Sequence, residues 1–405
     1  MPGSVAHITH VVDPSLLRGC AEVERTERGL LPHRLPRSAR DQCFDAQLHA
    51  AESQPSGVRL VFRSTATVVE LDLLRTTVSI TGMPARPDGR VDLVVDGQLT
   101  DQKTTSAGDV VRVNPASGES TVERGAVGTA RFSGLPARDK TIEIWLPNSE
   151  RTEVVGFRTD HPIQPPPPDG RRVWIHHGSS ISQGSNAAGP STTWPAVAAA
   201  LAGVEPVNLG LAGSAMLDQF TARTIRDAKA DAISVKIGIN LVNTDLLRHR
   251  AFVPAVHGFL DTIRDGHPDV ALLVVGPLYC PIHETTPGPA AFDVSALEAG
   301  EIKFLATGDP DVAARPGNPL GKLTLTHIRD QLETIVAQRS QTDPLLHYLD
   351  GLSLYGPADA AEHPLPDNLH PDATTHRMIG ERFAHLAFGP TGALSPEKTV
   401  RPAQH

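Results

Sequence analysis

The sequence predicts a mixed molecule: an all-β sandwich followed by a three-layer α/β/α domain on a parallel sheet. Three observations carry this. Up to about residue 160, apolar residues alternate with period two. From about residue 172, short apolar runs alternate with helical patterns. Between them stand four consecutive prolines at 165–168, a stiff connector with few backbone donors.

In the first part, Val58, Leu60 and Phe62 share one strand face, with Arg59 and Arg63 on the other. Val91, Leu93 and Val95 repeat the pattern and run into Asp96-Gly97, a hairpin-turn pair. Val111 and Val113, Ala130 and Phe132, then Ile142, Ile144 and Leu146 continue it. Short strands with turn signals and no helical period read as a β-sandwich of roughly 110 residues. The stretch 16–31 fits either a short helix or irregular extensions. The expected boundaries are 1–160 for this domain, 161–171 for the linker, 172–390 for the second domain and 391–405 for a tail.

In the second part, strands are expected at 172–177, 204–209, 233–237, 270–275 and 347–349. Helices are expected at 194–202, with residues 191–193 as caps, and at 217–230, 252–265, 323–338 and 373–388. Strand–helix alternation with right-handed crossovers gives a parallel sheet covered on both faces. The Pro/Gly-rich stretch 281–321 is too long for an idle connection, so it is expected to be functional or disordered.

Composition narrows the function. The chain has 405 residues, 40% hydrophobic and 20% charged, with a formal charge of −9. A mildly acidic chain without a long basic stretch is a poor partner for nucleic acid or an anionic membrane. No apolar run approaches the ~18 residues of a membrane span. Three distant cysteines, Cys20, Cys43 and Cys280, form neither a disulfide framework nor a CxxC pair, which points to a reducing compartment. The first 25 residues contain Asp13, Glu22 and Glu24 and lack a basic start before an apolar block. No signal peptide is read, so the expected location is cytoplasmic.

In an open parallel sheet, ligands bind beyond the carboxyl ends of the strands. There the sequence places Gly178-Ser179-Ser180-Ile181-Ser182-Gln183-Gly184, Asn208 to Gly213, and Gly238-Ile239-Asn240. Asp367-Asn368-Leu369-His370-Pro371 follows just before the last helix. A serine hydroxyl is a weak nucleophile until a base takes its proton, and His370 is the candidate base. Asp367 can bond the far ring nitrogen and fix the tautomer. The Ser180 amide, the Gly213 amide and the Asn240 side chain are candidate donors to an oxyanion. Each has a plainer reading as a turn serine, a turn glycine or a loop cap.

Together, in this order, these blocks resemble the SGNH (GDSL-type) hydrolase superfamily over about 171–390. The resemblance implies a flavodoxin-like fold, Ser180 as nucleophile, Gly213 and Asn240 as oxyanion donors, and Asp367 and His370 completing a triad. It requires no cofactor and no metal. Two positions depart: Ser179 stands where the family has aspartate, and Leu241 where aspartate is frequent after the asparagine. A sandwich ahead of such a domain is also similar to carbohydrate esterases and to two-domain actinobacterial acyltransferases. The expected activity is therefore hydrolysis of small acyl or O-acetyl glycoside esters. The alternatives are acyl transfer, from acyl-CoA or an ester, to a sugar hydroxyl, and a non-catalytic glycan-binding protein. The partner in each case is a small molecule.

Several other residues are read plainly. His176 and His177 are read as strand-end packing, Cys280 as a buried small hydrophobe, and Trp194 as packing its helix on the sheet. Asp218 and Glu284 are read as solvated or capping groups. Phe62, Phe132, Trp145 and Phe157 are too few and too strand-bound for a sugar-stacking platform. A lid or wall for a neighbouring site is the expected role of the sandwich.

Overall fold

A computed structural model describes residues 7–43, 45–166, 170–315 and 317–396. Prolines 167 and 168 of the connector and residues 397–405 of the expected tail lie outside the described residues. The chain divides into two compact units. One comprises Met1–Arg37, His49–Gly170 and Gly189–Ser191; the other comprises Ser38–Leu48, Arg171–Ala188 and Thr192–His405.

The first unit is built on an eight-stranded and a six-stranded sheet. Its alternating residues pair as the pattern requires. Arg59–Ser64 lies antiparallel to Lys140–Trp145, with Leu60 opposite Ile144 and Phe62 opposite Ile142. All four of these side chains are fully buried. Burying each such side chain stabilises the fold by about 1.5–3 kcal/mol. Asp96 and Gly97 both take positive φ, 48° and 79°, as a two-residue hairpin turn demands. They join Arg90–Val95 to Gln98–Thr104. One pair is parallel: Thr76–Ile80, the end of a 13-residue strand, runs alongside Asp109–Val113.

The stretch 16–31 contains no α-helix. A 3-10 turn at Pro14–Leu16 is followed by strand Leu17–Arg18 and the hairpin Glu22–Arg25 with Leu30–His33. Val23 packs against the sandwich core and Leu30 belongs to it, so tertiary burial decides against a helix here. The four aromatics of the alternating stretch are all buried, with Phe62, Phe132 and Phe157 at zero exposure and Trp145 at 7%. None of the four is displayed as a stacking platform.

The second unit holds a five-stranded, wholly parallel sheet. Its strands are β1 (Val173–Gly178), β2 (Glu205–Gly210), β3 (Ala232–Lys236), β4 (Leu272–Val275) and β5 (Leu346–Leu349), in the order β2-β1-β3-β4-β5. The helices that matter for the site are α1 (Ser180–Gln183), α2 (Trp194–Ala202), α3 (Gln219–Asp227), α4 (Ile239–Asn243), α5 (His249–Gly266), α6 (Leu325–Arg339) and α7 (Ala373–Phe383). β3 and β4 are buried along their whole length, which is why they read as unbroken apolar runs. Among the described residues no helix is long and apolar enough to cross a membrane.

Of the expected caps at 191–193, Thr193 takes the N-cap position of α2, and its side chain makes no capping bond. Ser191 belongs with the first unit, where its amide and hydroxyl donate to Asp92 at 2.9 and 2.6 Å. The stretch 281–321 is also not bare loop. It carries a small hairpin, Ala290–Phe292 with Phe304–Ala306, enclosing a one-turn helix at Val294–Glu298.

Candidate active site

β1 delivers the nucleophile turn. After Gly178 the chain is extended at Ser179 and then turns through α1, closed by the amides of Ser182 and Gln183 on the Ser179 carbonyl at 3.0 and 2.9 Å. Gly178 is required by space: a Cβ there would stand 2.3 Å from the Ser182 hydroxyl oxygen. Ser180 opens α1 and is 8% exposed.

The Asp367–His370 loop meets this turn. Ser180 Oγ lies 2.8 Å from His370 Nε2, and His370 Nδ1 lies 2.7 Å from Asp367 Oδ2. A carboxylate only accepts, so Nδ1 carries the proton and Nε2 is left to accept from the serine hydroxyl. Asp367 Oδ1 also accepts the backbone amides of His370 and Leu369, at 2.7 and 3.0 Å. Burial works against the Asp367 charge, but these hydrogen bonds and the His370 side chain outweigh it. The carboxyl sits below its ordinary range.

The two other candidate donors are tied into the same fabric. Gln183, in α1, accepts the Ala212 amide at 2.9 Å, and Gln47 donates to the Ala212 carbonyl at 3.0 Å. The next residue is Gly213, at φ 71°, a conformation that favours glycine. Asn240 Oδ1 accepts the Ala215 amide at 3.2 Å, which orients the side chain and leaves Nδ2 as its donor. Leu241, at the position where the resemblance expects aspartate, is fully buried. The Asn240 segment is held instead by α4, with the amide and hydroxyl of Thr244 on the Asn240 carbonyl at 3.1 and 2.8 Å. Ser179 is 2% exposed, and its hydroxyl has no hydrogen-bond partner among the described residues.

Several supports were not legible beforehand. His376, fully buried on α7, accepts from the Trp194 amide at Nδ1 (3.3 Å) and donates from Nε2 to the Ser185 carbonyl (2.8 Å). It thereby ties the end of the nucleophile turn to α2, and burial pushes its pKa down to about 4. The hairpin in 281–321 straps the acid–base loop. Phe304 donates its amide to the Asp367 carbonyl at 3.0 Å and accepts from Asn368 Nδ2 at 3.1 Å. Its ring stands edge-on to His370 at 5.8 Å. An Asp-x-x-His block announces the triad partners, but no local pattern announces a distant strap.

The remaining candidates fall as follows. His176 is buried between Ser234 and Ser182, at 2.7 and 2.8 Å, and His177 bonds the Leu209 carbonyl at 2.8 Å. Among the described residues no three His, Cys, Asp or Glu side chains gather to hold a metal ion. Trp194 has zero exposure and packs on Trp174, His176 and Phe383. Cys280 is 3% exposed, and burial pushes its thiol up to about 12, which removes it as a second nucleophile.

Glu284 and Asp218 depart from the solvated or capping reading. Glu284 pairs with Arg329 and accepts the Cys280 amide at 3.0 Å. Asp218 occupies the N-cap of α3 without a side-chain capping bond, and burial, with Asp45 nearby, lifts its pKa to about 6.

Comparison with known families gives two matches. Residues 171–278 match the GDSL-like Lipase/Acylhydrolase family, and residues 16–154 match the SsfX3 N-terminal domain. The chain carries a GDSL-type catalytic domain. With it comes the class of enzyme, an ester hydrolase or acyltransferase. Among solved structures, the chain is similar to the salicylyl-acyltransferase SsfX3 from a tetracycline biosynthetic pathway. That match has 25% identity and a TM-score of 0.74, covering 93% of this chain and 95% of the other. It is similar in fold to a GDSL-like lipase from Bacteroides ovatus, at 17% identity and TM-score 0.62, covering 93% and 95%. A family two carbohydrate esterase from Clostridium thermocellum, determined with cellohexaose, also shares the fold, at 14% identity and TM-score 0.51, covering 81% and 90%. Against curated protein sequences the chain finds no match.

Proposed function

We propose that this GDSL-type protein is a serine ester hydrolase that works through an acyl-enzyme on Ser180. The observation that carries the reading is the unbroken relay from Ser180 Oγ to His370 and on to Asp367, at 2.8 and 2.7 Å. His370 takes the serine proton as Oγ bonds to the ester carbonyl carbon, and the carbonyl electrons move onto oxygen. The Ser180 and Gly213 amides and Asn240 Nδ2 are the donors assigned to that oxyanion. As the intermediate collapses, the alkoxide leaves with the proton from His370. Water then enters on the same path in reverse and releases the acid. Asp367 remains a carboxylate throughout and stabilises the imidazolium. The substrates assigned are small acyl or O-acetyl glycoside esters. The location assigned is the reducing cytoplasm, on three cysteines whose number and spacing form no disulfide framework and no CxxC pair.

A second reading is favoured by a specific observation. The likeness to the salicylyl-acyltransferase extends over 93% of the chain, and the N-terminal part matches that protein's own domain type. In this reading a sugar hydroxyl replaces water in the second half-reaction, with acyl-CoA or an ester as donor. Hydrolysis of p-nitrophenyl acetate by wild type and Ser180→Ala, with and without a panel of sugar alcohols, separates the readings. Steady turnover in water that vanishes in Ser180→Ala supports the hydrolase. A burst that stalls until one alcohol is added supports transfer. Turnover that persists in Ser180→Ala overturns both.

A further inference from the structure

The aim of the Gly213 amide, a donor assigned to the oxyanion, is set by the peptide that carries it. The Ala212–Gly213 bond is trans and therefore planar, so its C=O and its N–H point in opposite directions. Whatever holds the Ala212 carbonyl also holds the Gly213 N–H. Gln47 is placed to do this, for its Nε2 donates to that carbonyl at 3.0 Å. The side chain runs close over the peptide: a Cβ on Gly213 would stand 3.3 Å from both Cγ and Nε2 of Gln47. On the other side of the Ala212 Cα, the Ala212 amide donates to Gln183 Oε1 at 2.9 Å. Both peptides flanking Ala212 are thus pinned, one by the helix that carries Ser180 and one by Gln47. Among the described residues nothing accepts from the Gly213 amide itself.

Gln47 comes from far away in the sequence. It stands ahead of the proline connector and within residues 16–154, which match the SsfX3 N-terminal domain. The segment Ser38–Leu48 nevertheless belongs to the second compact unit. There it is tied down on both sides of Phe44: Arg223 of α3 donates to Gln42, and Asp45 Oδ1 accepts the Gln47 amide at 2.9 Å where the helix Ala46–Glu52 begins. The Gln47 side chain is exposed, so water can satisfy the Ala212 carbonyl in its absence. A mobile water satisfies the oxygen without fixing the plane of the peptide.

We propose that Gln47 is a positioning residue for the reaction at Ser180: by donating to the Ala212 carbonyl it keeps the Gly213 N–H turned to the oxyanion, a role that rests on the reading of Ser180 as nucleophile and Gly213 as donor. Gln47 acts through the peptide and not on the reacting atoms. Its bond also gains in strength during the reaction. As negative charge develops on the substrate oxygen, the run Nε2–H···O=C–N–H···O⁻ polarises in one sense, each hydrogen bond reinforcing the next. The contribution is therefore larger in the transition state than in the bound substrate, and it belongs in kcat.

Full-length wild type, Gln47→Met and Gln47→Glu are compared on p-nitrophenyl acetate. Methionine keeps the stem and loses the donor; glutamate keeps the shape and can only accept. Gln47→Met should lower kcat by about 3- to 10-fold, with KM within about 2-fold and the melting temperature unchanged. Gln47→Glu should lose at least as much. The second readout is the nitrogen-15 resonance of the Gly213 amide, assigned through carbon-13 in the Ala212 carbonyl. It should move in Gln47→Met, while that of Gly203, at the end of α2, stays in place. A wild-type kcat in folded Gln47→Met, a loss carried by KM alone, or an unmoved Gly213 resonance overturns the proposal. The two failures are distinguishable. Turnover that persists in Ser180→Ala ends the reading of the site and the role of Gln47 with it, whereas turnover that needs Ser180 but ignores Gln47 ends only the role of Gln47.

Discussion

The Ser180 hydroxyl gains its reactivity from a tautomer that Asp367 sets. Because the carboxylate can only accept, the proton on His370 is confined to Nδ1, and Nε2 faces the serine. Ser180→Ala removes the attacking atom and nothing that packs. Turnover of p-nitrophenyl acetate should fall by at least about 10³-fold with the melting temperature unchanged, read by absorbance and calorimetry. Asn240→Ala leaves the nucleophile in place and takes away one donor to the developing negative oxygen. It should lower kcat by about 10²–10³-fold and change KM far less, which steady-state kinetics separates. These residues were legible in the sequence because their chemistry is tied to short blocks of fixed spacing. His376 was not. Its significance lies in a bond to the Ser185 carbonyl, which is a property of packing.

Elements position those residues through close approach. The turn into α1 comes so near β1 that Gly178 has no room for a Cβ, with the Ser182 hydroxyl at 2.3 Å. Gly178→Ala should therefore destabilise the fold by about 1–3 kcal/mol and lower kcat by displacing α1, seen together in urea unfolding and kinetics. Strand–helix alternation fixed the order of the five-stranded sheet's elements because strands buried on both faces leave unbroken apolar runs. The small hairpin at Ala290–Phe292 and Phe304–Ala306 was hidden, since each strand has three residues, and its pairing partner lies beyond a helix turn. The stretch 16–31 was ambiguous for a similar reason. Its strands are two to four residues long, and their conformation is decided by the sandwich against which they pack.

At the scale of the whole molecule, buried histidines set a limit at acid pH. His376 is held neutral, with its pKa pushed down by burial from the ordinary 6.5 to about 4. Between those values the unfolded chain binds the proton and the folded chain does not. Stability is therefore fully present above about 6.5 and is lost as pH falls towards 4. The loss amounts to roughly 3 kcal/mol for this one group by linkage. His176, shifted in the same direction by burial, adds to it. Denaturant unfolding from pH 7 to pH 4 should show this decline, and His376→Gln, which cannot take up the proton, should flatten it. A slope identical in the variant would remove His376 from the account.

The central claim is a covalent intermediate on Ser180. The most direct test is rapid acid quenching of the protein with p-nitrophenyl acetate, followed by peptide mass spectrometry of the segment containing Gly178 to Gly184. The account predicts an acetyl group on Ser180 that appears with the burst of p-nitrophenol and is absent in Ser180→Ala. An acetyl group on another residue that kinetically matches turnover, or turnover with no Ser180 dependence, would contradict it.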